Sequence, residues 1–155
     1  MAVGHNPGEV DGIHGTYRTA PAQAAYTTPE LLALTDLDGA DVLALSDEAR
    51  LDPDQLAALR SDPIGLAKAQ AAAKLTTHHR GASRRIVLRY LCSPLEIVGD
   101  QRVTGVRVAR NRLEHGPGGD VRAVPTGIEE TIEAGLVLRA VGYRGAALSG
   151  LPLRQ

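Results

Sequence analysis

The 155-residue sequence contains no phenylalanine and no tryptophan, and four tyrosines supply all its large aromatic rings. A core made from it must be built of Leu, Val, Ile and Ala, so the margin of stability is thin. One cysteine excludes an internal disulfide and fits a reducing compartment. No run of about 18 apolar residues occurs, so no segment is suited to cross a membrane as a helix. The N-terminus lacks the basic-then-apolar order of a secretory signal. With a net charge of −1, nothing in the bulk electrostatics draws the chain to nucleic acid or to a membrane surface. These absences together describe a cytoplasmic protein of one domain.

The most informative stretch is Arg84 to Leu113, RRIVLRYLCSPLEIVGDQRVTGVRVARNRL. Ile86, Leu88, Tyr90 and Cys92 alternate with Val87, Arg89 and Leu91, the period of two that a strand requires. Ser93-Pro94 forces a break or bulge, because proline has no N–H for the ladder. Leu95 to Val98 resumes the strand, Gly99 to Arg102 turns, and Val103 to Leu113 runs back. The pattern is that of a β-meander.

Residues 1–15 have no periodicity and read as disordered or foreign to the fold. A helix is expected from Thr28-Pro29-Glu30, with Leu31, Leu34 and Leu37 along one edge and Asp38-Gly39 as its stop. Asp41 to Leu45 reads as a strand. Asp52-Pro53 and Asp62-Pro63 open two further helices, the second running to Leu75 with Ile64, Ala67, Ala71 and Leu75 on one face. Thr76 to Ser83 is a polar loop, and Glu114 to Thr126 a flexible turn followed by a short strand at Thr131 to Ala134. Leu136 to Val141 is nearly all apolar, as in a strand covered on both faces.

Candidate chemistry is sparse. His78 and His79 are adjacent, so their side chains diverge, and no third ligand stands at metal-binding spacing; they read as loop residues and no metal is expected. Cys92 falls on the apolar side of its strand and reads as a buried thiol. Gly116, Gly118 and Gly119 precede no helix and make a turn rather than a phosphate loop. Arg84, Arg85, Arg89, Arg102, Arg107, Arg110 and Arg112 crowd the meander, either as a solvated sheet face or as a docking patch for an acidic partner.

The block RIVLRYLCSPLEIVGDQRVTGVRVARNRL resembles the NADPH-binding domain of adrenodoxin-reductase-type ferredoxin–NADP⁺ reductases, flavoenzymes that pass electrons between NADPH and ferredoxin. Two further blocks agree in order: PAQAAYTTPELLAL at Pro21 to Leu34, and TGIEETIEAGLVLRAVGYRG at Thr126 to Gly145. The resemblance implies an α/β fold: a partial three-layer (ββα) Rossmann-like NADP-binding domain over residues 16–152, with an antiparallel β-meander. It also implies site residues. The family places two arginines before this Pro-x-Gln-Ala segment to bind the adenosine 2′-phosphate of NADP. Arg18 matches the first, and Thr19 stands at the second. Glu30 matches a glutamate that contacts the nucleotide, although its place in the first turn of a helix is equally that of a capping carboxylate. Arg84, Arg85 and Arg89 lie where the family receives ferredoxin.

No G-x-G-x-x-G fingerprint occurs in the sequence, so the FAD site of the intact family and the first βαβ unit of its NADPH domain have no counterpart here. The resemblance therefore implies a truncated reductase, with NADP binding weak and no activity of its own. The alternative is a non-catalytic module that still docks a ferredoxin or NADP. An arginine-rich nucleic-acid binder is disfavoured by the balanced charge and by the lack of Phe and Trp for base stacking.

Overall fold

The structure, a computed structural model, describes residues 2–4, 12–51, 53–116 and 120–140. Two sheets and one helical layer make up the fold. The first sheet has the strand order β3-β4-β2-β1-β8, from β1 (Ala2–Gly4), β2 (Gly12–Thr16), β3 (Ala40–Ala44), β4 (Arg84–Arg89) and β8 (Leu136–Leu138). Strands β2, β3 and β4 are parallel, whereas β1 runs antiparallel to both β2 and β8. The second sheet is an antiparallel meander of β5 (Cys92–Val98), β6 (Gly105–His115) and β7 (Val121–Glu133).

Local sequence explains the helices. Helix α1 (Thr28–Thr35) starts at a capping box, in which the Thr27 N–H donates to Glu30 Oε2 at 2.6 Å and the Glu30 N–H donates to Thr27 Oγ1 at 3.4 Å. Two short helices follow, α2 (Ser46–Ala49) and α3 (Pro53–Ala58). Helix α4 (Pro63–Lys74) is capped by Asp62, whose Oδ1 accepts from the Gly65 N–H at 2.9 Å. A Cβ at Gly65 would lie 2.2 Å from the Asp62 carboxylate, so a side chain there would push the capping group aside. The face of α4 that packs inward carries Gly65, Ala69 and Ala72 together with Ala71 and Leu75. Ile64, expected on that face, is 71% exposed, because the small residues draw the helix close and set its rotation.

One core lies between the helices and the first sheet, where Leu31, Ala71, Ala72 and Leu75 meet Val42, Ala44, Leu88 and the fully buried Tyr90. A second forms on the meander from Cys92, Val106, Val108, Ile132 and Ala134. Among the described residues no helix is long and apolar enough to cross a membrane.

Several expectations change. Gly12–Thr16, read as part of an irregular leader, is a strand paired in register with β4. Its composition hides this, since its partners and not its propensity hold it. The stretch Arg84–Arg89 alternates like a meander strand but belongs to the parallel sheet. The chain then crosses into the meander at Leu91, which has φ +53°, a left-handed conformation uncommon for a branched side chain. Its N–H donates to Thr19 O at 3.1 Å and its carbonyl accepts from the Asn111 N–H at 2.7 Å, which fixes the joint.

Downstream, the region read as a flexible turn is mostly strand, β7 being 13 residues long. Pro125 is tolerated because β7 is an edge strand, and Gly127 (φ +84°) absorbs the irregularity while Thr126 Oγ1 donates to the Arg110 carbonyl at 2.9 Å. The bulge expected at Pro94 is present, the register shifting between Pro94 and Glu96. Finally, Leu136–Leu138 is not covered on both faces: it is an edge strand with Leu136 and Leu138 each 56% exposed. Val141 lies outside the described residues.

Candidate functional site

Parallel strands carry ligands at their C-terminal ends, where backbone and following loops converge. Here β2 delivers Tyr17 to Gln23, β3 delivers α2, and β4 delivers Tyr90 and Leu91. Tyr17 continues the pairing of β2, its N–H donating to Arg89 O at 2.8 Å and its carbonyl accepting from the Cys92 N–H at 2.9 Å. Beyond it Ala20, Pro21 and Ala22 are buried in a single 3₁₀ turn.

Three of the four tyrosines cluster at this end. The Tyr17 ring stacks on Tyr90 with centroids 5.4 Å apart, and meets Tyr26 edge-on at 5.3 Å. The Tyr26 and Tyr90 hydroxyls are hydrogen-bonded at 2.8 Å. Burial pushes the Tyr26 phenol up to about 12, so the pair stays neutral at physiological pH. Lys68 from α4 donates to the Ala24 carbonyl at 2.8 Å and sits 5.9 Å from the centre of the Tyr26 ring.

Arg18 is exposed on this rim and makes no ion pair among the described residues. Its carbonyl is held by Asn111 Nδ2 at 3.0 Å, and the same nitrogen lies 2.8 Å from Ser93 Oγ. Asn111, only 7% exposed, thus positions the Arg18 backbone from the neighbouring sheet. Glu30 is exposed and closes the capping box of α1. The Thr27 N–H first, then the Thr27 hydroxyl, hold its carboxyl below the usual carboxylate range, and the charge of Lys68 adds to this. The capping role is therefore real, and one carboxylate oxygen is committed to it. Downstream of Arg18 opens a cleft of about 220 Å³, walled by Ala20, Ala22 and Gln23 on one side and by Leu59, Asp62 and His115 on the other.

The arginines expected to face a partner separate into two groups. Arg84 and Arg85 are exposed, at the N-terminal end of β4, and neither makes an ion pair among the described residues. Because β4 is parallel to β2, they lie at the opposite end of the sheet from Arg18. Arg89 is instead 5% exposed. Its guanidinium binds Glu48 through Nε at 2.9 Å and a terminal nitrogen at 2.8 Å, and it also pairs with Glu130. Burial works against the charge on Arg89, but the hydrogen bonds and charge of Glu48, then of Glu130, outweigh it and raise its pKa. Arg89 is a buried structural cation and presents nothing to a partner surface.

Three more arginines of the basic stretch are similarly neutralised. Arg110 pairs with Glu48 and Asp47, each at 2.6 Å, Arg107 with Glu96 and Glu129, and Arg112 with Glu114. Sequence reading misses Glu48, Asn111 and the tyrosine cluster. The first gives no signal in an exposed-looking Ser-Asp-Glu helix start. The other two become visible only when partners distant in the chain are brought together.

Two further expectations concern single residues. Cys92 is fully buried, and burial above all pushes its thiol up to about 11. His79 Nδ1 lies 2.8 Å from Asp41, whose buried carboxylate also accepts from the N–H groups of Arg80, Gly81 and Ala82 at 3.0, 3.0 and 3.1 Å. This ties down the loop before β4. Among the described residues no three of His, Cys, Asp and Glu are grouped so as to hold a metal ion.

No family model matches the sequence. The chain is 42% identical over 147 residues to "NADPH-ferredoxin reductase FprA" of Mycobacterium tuberculosis, covering 87% of this chain and 30% of that protein. It is 34% identical over 137 residues to the human mitochondrial "NADPH:adrenodoxin oxidoreductase", covering 82% of this chain and 28% of the other. The structure superposes on M. tuberculosis FprA "in complex with NADPH" with a TM-score of 0.77 at 36% identity, over 91% of this chain and 31% of that one. The chain thus spans about 30% of the length of the relatives it matches. In sequence and in fold, it is a homologue of one segment of the adrenodoxin-reductase-type ferredoxin–NADP⁺ reductases, within their Rossmann-like NADP-binding region.

Proposed function

We propose that this chain is a partial NADP-binding domain of the reductase type, which reaches back from residues 16–152 to include the strand that starts at Gly12, and that by itself it binds nucleotide without catalysing electron transfer. The observation that carries this is the superposition on FprA in complex with NADPH, together with Arg18, exposed at the C-terminal end of β2 and without an ion pair among the described residues. A guanidinium there suits a 2′-phosphate, for which it offers charge-assisted and bidentate hydrogen bonds. Glu30 has one carboxylate oxygen left to accept from a ribose hydroxyl. The cleft beside Ala20 and Gln23 offers an apolar wall to the base. Thr19, in place of a second arginine, makes the phosphate contact weaker and the choice of NADP over NAD less sharp.

The residues present do not fit FAD, since no G-x-G-x-x-G turn leads from a strand into a helix, and the glycines at 116, 118 and 119 precede a strand. No redox step is therefore assigned to this chain alone.

A second reading keeps the ferredoxin partner. Arg84 and Arg85 are exposed cations without an ion pair among the described residues, at one end of the sheet, and an acidic protein docks there with salt-sensitive affinity. Arg89 takes no part in it.

An amide NMR titration tests the nucleotide reading. NADP⁺ should shift the signals of Tyr17 to Gln23 and of Thr27 to Glu30, NAD⁺ should shift them less, and Arg18→Ala should remove the difference. No shift with about 1 mM NADP⁺, which corresponds to a binding free energy weaker than about 4 kcal/mol, would refute it.

A further inference from the structure

Charge at the end of β2 is nearly cancelled by its own loop. Arg18 brings one positive charge, and Thr19 beside it brings none. Glu30 brings one negative charge to the same rim. Burial first, and then the charge of Glu30, raise the Tyr17 phenol, which places the carboxylate near the residue that leads into Arg18. A phosphate monoester carries about 1.5 to 2 negative charges at neutral pH. Between a lone guanidinium and a carboxylate it would meet little net attraction.

Lys68 supplies the missing charge from outside the loop. It stands on α4 and is half-buried. Its ammonium is held from two sides, by the Ala24 carbonyl at 2.8 Å and over the Tyr26 ring at 5.9 Å, and so lies against the segment that joins Arg18 to Glu30. The Thr27 bonds hold the Glu30 carboxyl low, and the charge of Lys68 adds to them. An ammonium has three donors, of which Ala24 takes one, and no carboxylate lies within ion-pair distance of Lys68 among the described residues. Arg84 and Arg85 lie at the opposite end of the sheet, and Arg89 and Arg110 are bound by Glu48, so none of these four serves instead.

We propose that Lys68 is the second phosphate-binding cation of the site, reaching from α4 to the 2′-phosphate that Arg18 holds, and that it is a specificity-determining residue for NADP over NAD. The inference rests on the nucleotide reading above. With Lys68 counted, the two cations outweigh Glu30, and the rim attracts a dianion while Glu30 stays free to accept from a ribose hydroxyl. The four-carbon stem lets the ammonium swing from the Ala24 carbonyl toward a bound phosphate without moving the helix. The charge that Thr19 does not bring is thus recovered from a different element, and with it part of the preference for the phosphorylated nucleotide.

Titration calorimetry of the full chain with NADP⁺ and with NAD⁺ tests this. In Lys68→Gln the dissociation constant for NADP⁺ should rise about tenfold and that for NAD⁺ by less than about twofold, and Lys68→Arg should restore the NADP⁺ value. In the unsubstituted chain NADP⁺ should shift the Lys68 Cε–Hε NMR signals and NAD⁺ should leave them in place, a measurement that needs no variant to fold. An equal loss for both nucleotides would mean that Lys68 only holds the Ala24 carbonyl. An unaltered NADP⁺ affinity, or a Lys68 side chain that NADP⁺ does not shift, would leave the phosphate to Arg18 alone. Each of these overturns the proposal while the nucleotide reading stands, whereas no binding of NADP⁺ by the unsubstituted chain would overturn both.

Discussion

Replacing Glu48 by glutamine probes the joint between the two sheets. Glu48 is 3% exposed and accepts from Arg89 through Nε and a terminal nitrogen, from Arg110 at 2.6 Å, and from the Tyr90 N–H at 2.9 Å. Glutamine keeps the shape but removes the charge, and turns one acceptor into a donor facing donors. Arg89, itself 5% exposed, is then left with Glu130 as its charged partner. Breaking a buried ion pair from one side costs about 3–5 kcal/mol, a large part of the about 5–15 kcal/mol that holds a typical domain together. At a urea slope of about 2 kcal/mol per molar, the unfolding midpoint should fall by about 2 M. Asp47→Asn is the control, because Asp47 is 63% exposed and its bond to Arg110 should be worth no more than about 1 kcal/mol. Urea titrations of the three proteins followed by circular dichroism decide the matter. A midpoint shift below about 0.5 M for Glu48→Gln would mean that water reaches the network and that it does not bear on stability.

Two further outcomes follow from buried groups. Burial raises the Asp41 carboxyl, but the three backbone N–H donors and then His79 outweigh it, and its net pKa is below the ordinary value. A depressed carboxyl contributes stability that is present above its unfolded pKa, about 4, and lost as pH falls through the folded value. Thermal melts should therefore decline below about pH 4, and Asp41→Asn should flatten that acid limb; an unchanged acid limb in the variant would refute the assignment. Cys92, with its thiol near 11 and no exposure, should resist alkylation by iodoacetamide until the chain is unfolded. Labelling of the native protein at the rate of the unfolded one would show that the meander core is open.

The sequence carried the starts of α1 and α4, because caps are local devices, although the cap of α1 is Thr27 and not Thr28, and α2 went unread. It also carried β3, the Pro94 bulge and the buried Cys92. It failed wherever partners set the outcome. Gly12–Thr16 has little strand propensity and is held by β4, a pairing between segments far apart in the chain. Val121–Glu133 hides a long edge strand behind Pro125 and Gly127. Arg89 looks like one more surface arginine, and nothing in its neighbours announces that Glu48, from another helix, receives it. For the site, Arg18 is singled out by resemblance alone, and the structure shows that it is exposed. The exposed capping role of Glu30 follows from sequence spacing alone.

The passage at Leu91 bears on how such a segment can be inherited. The chain leaves β4 and enters β5 with two residues between them, and the backbone of Leu91 is fastened to Thr19 on one side and to Asn111 on the other. Arg89, just before this point, is bound by Glu48, and Asn111 in turn holds the carbonyl of Arg18. No seam therefore runs between the parallel sheet and the meander. Replacing the meander by another sheet would remove Asn111 and with it the side-chain tie that holds the carbonyl of Arg18.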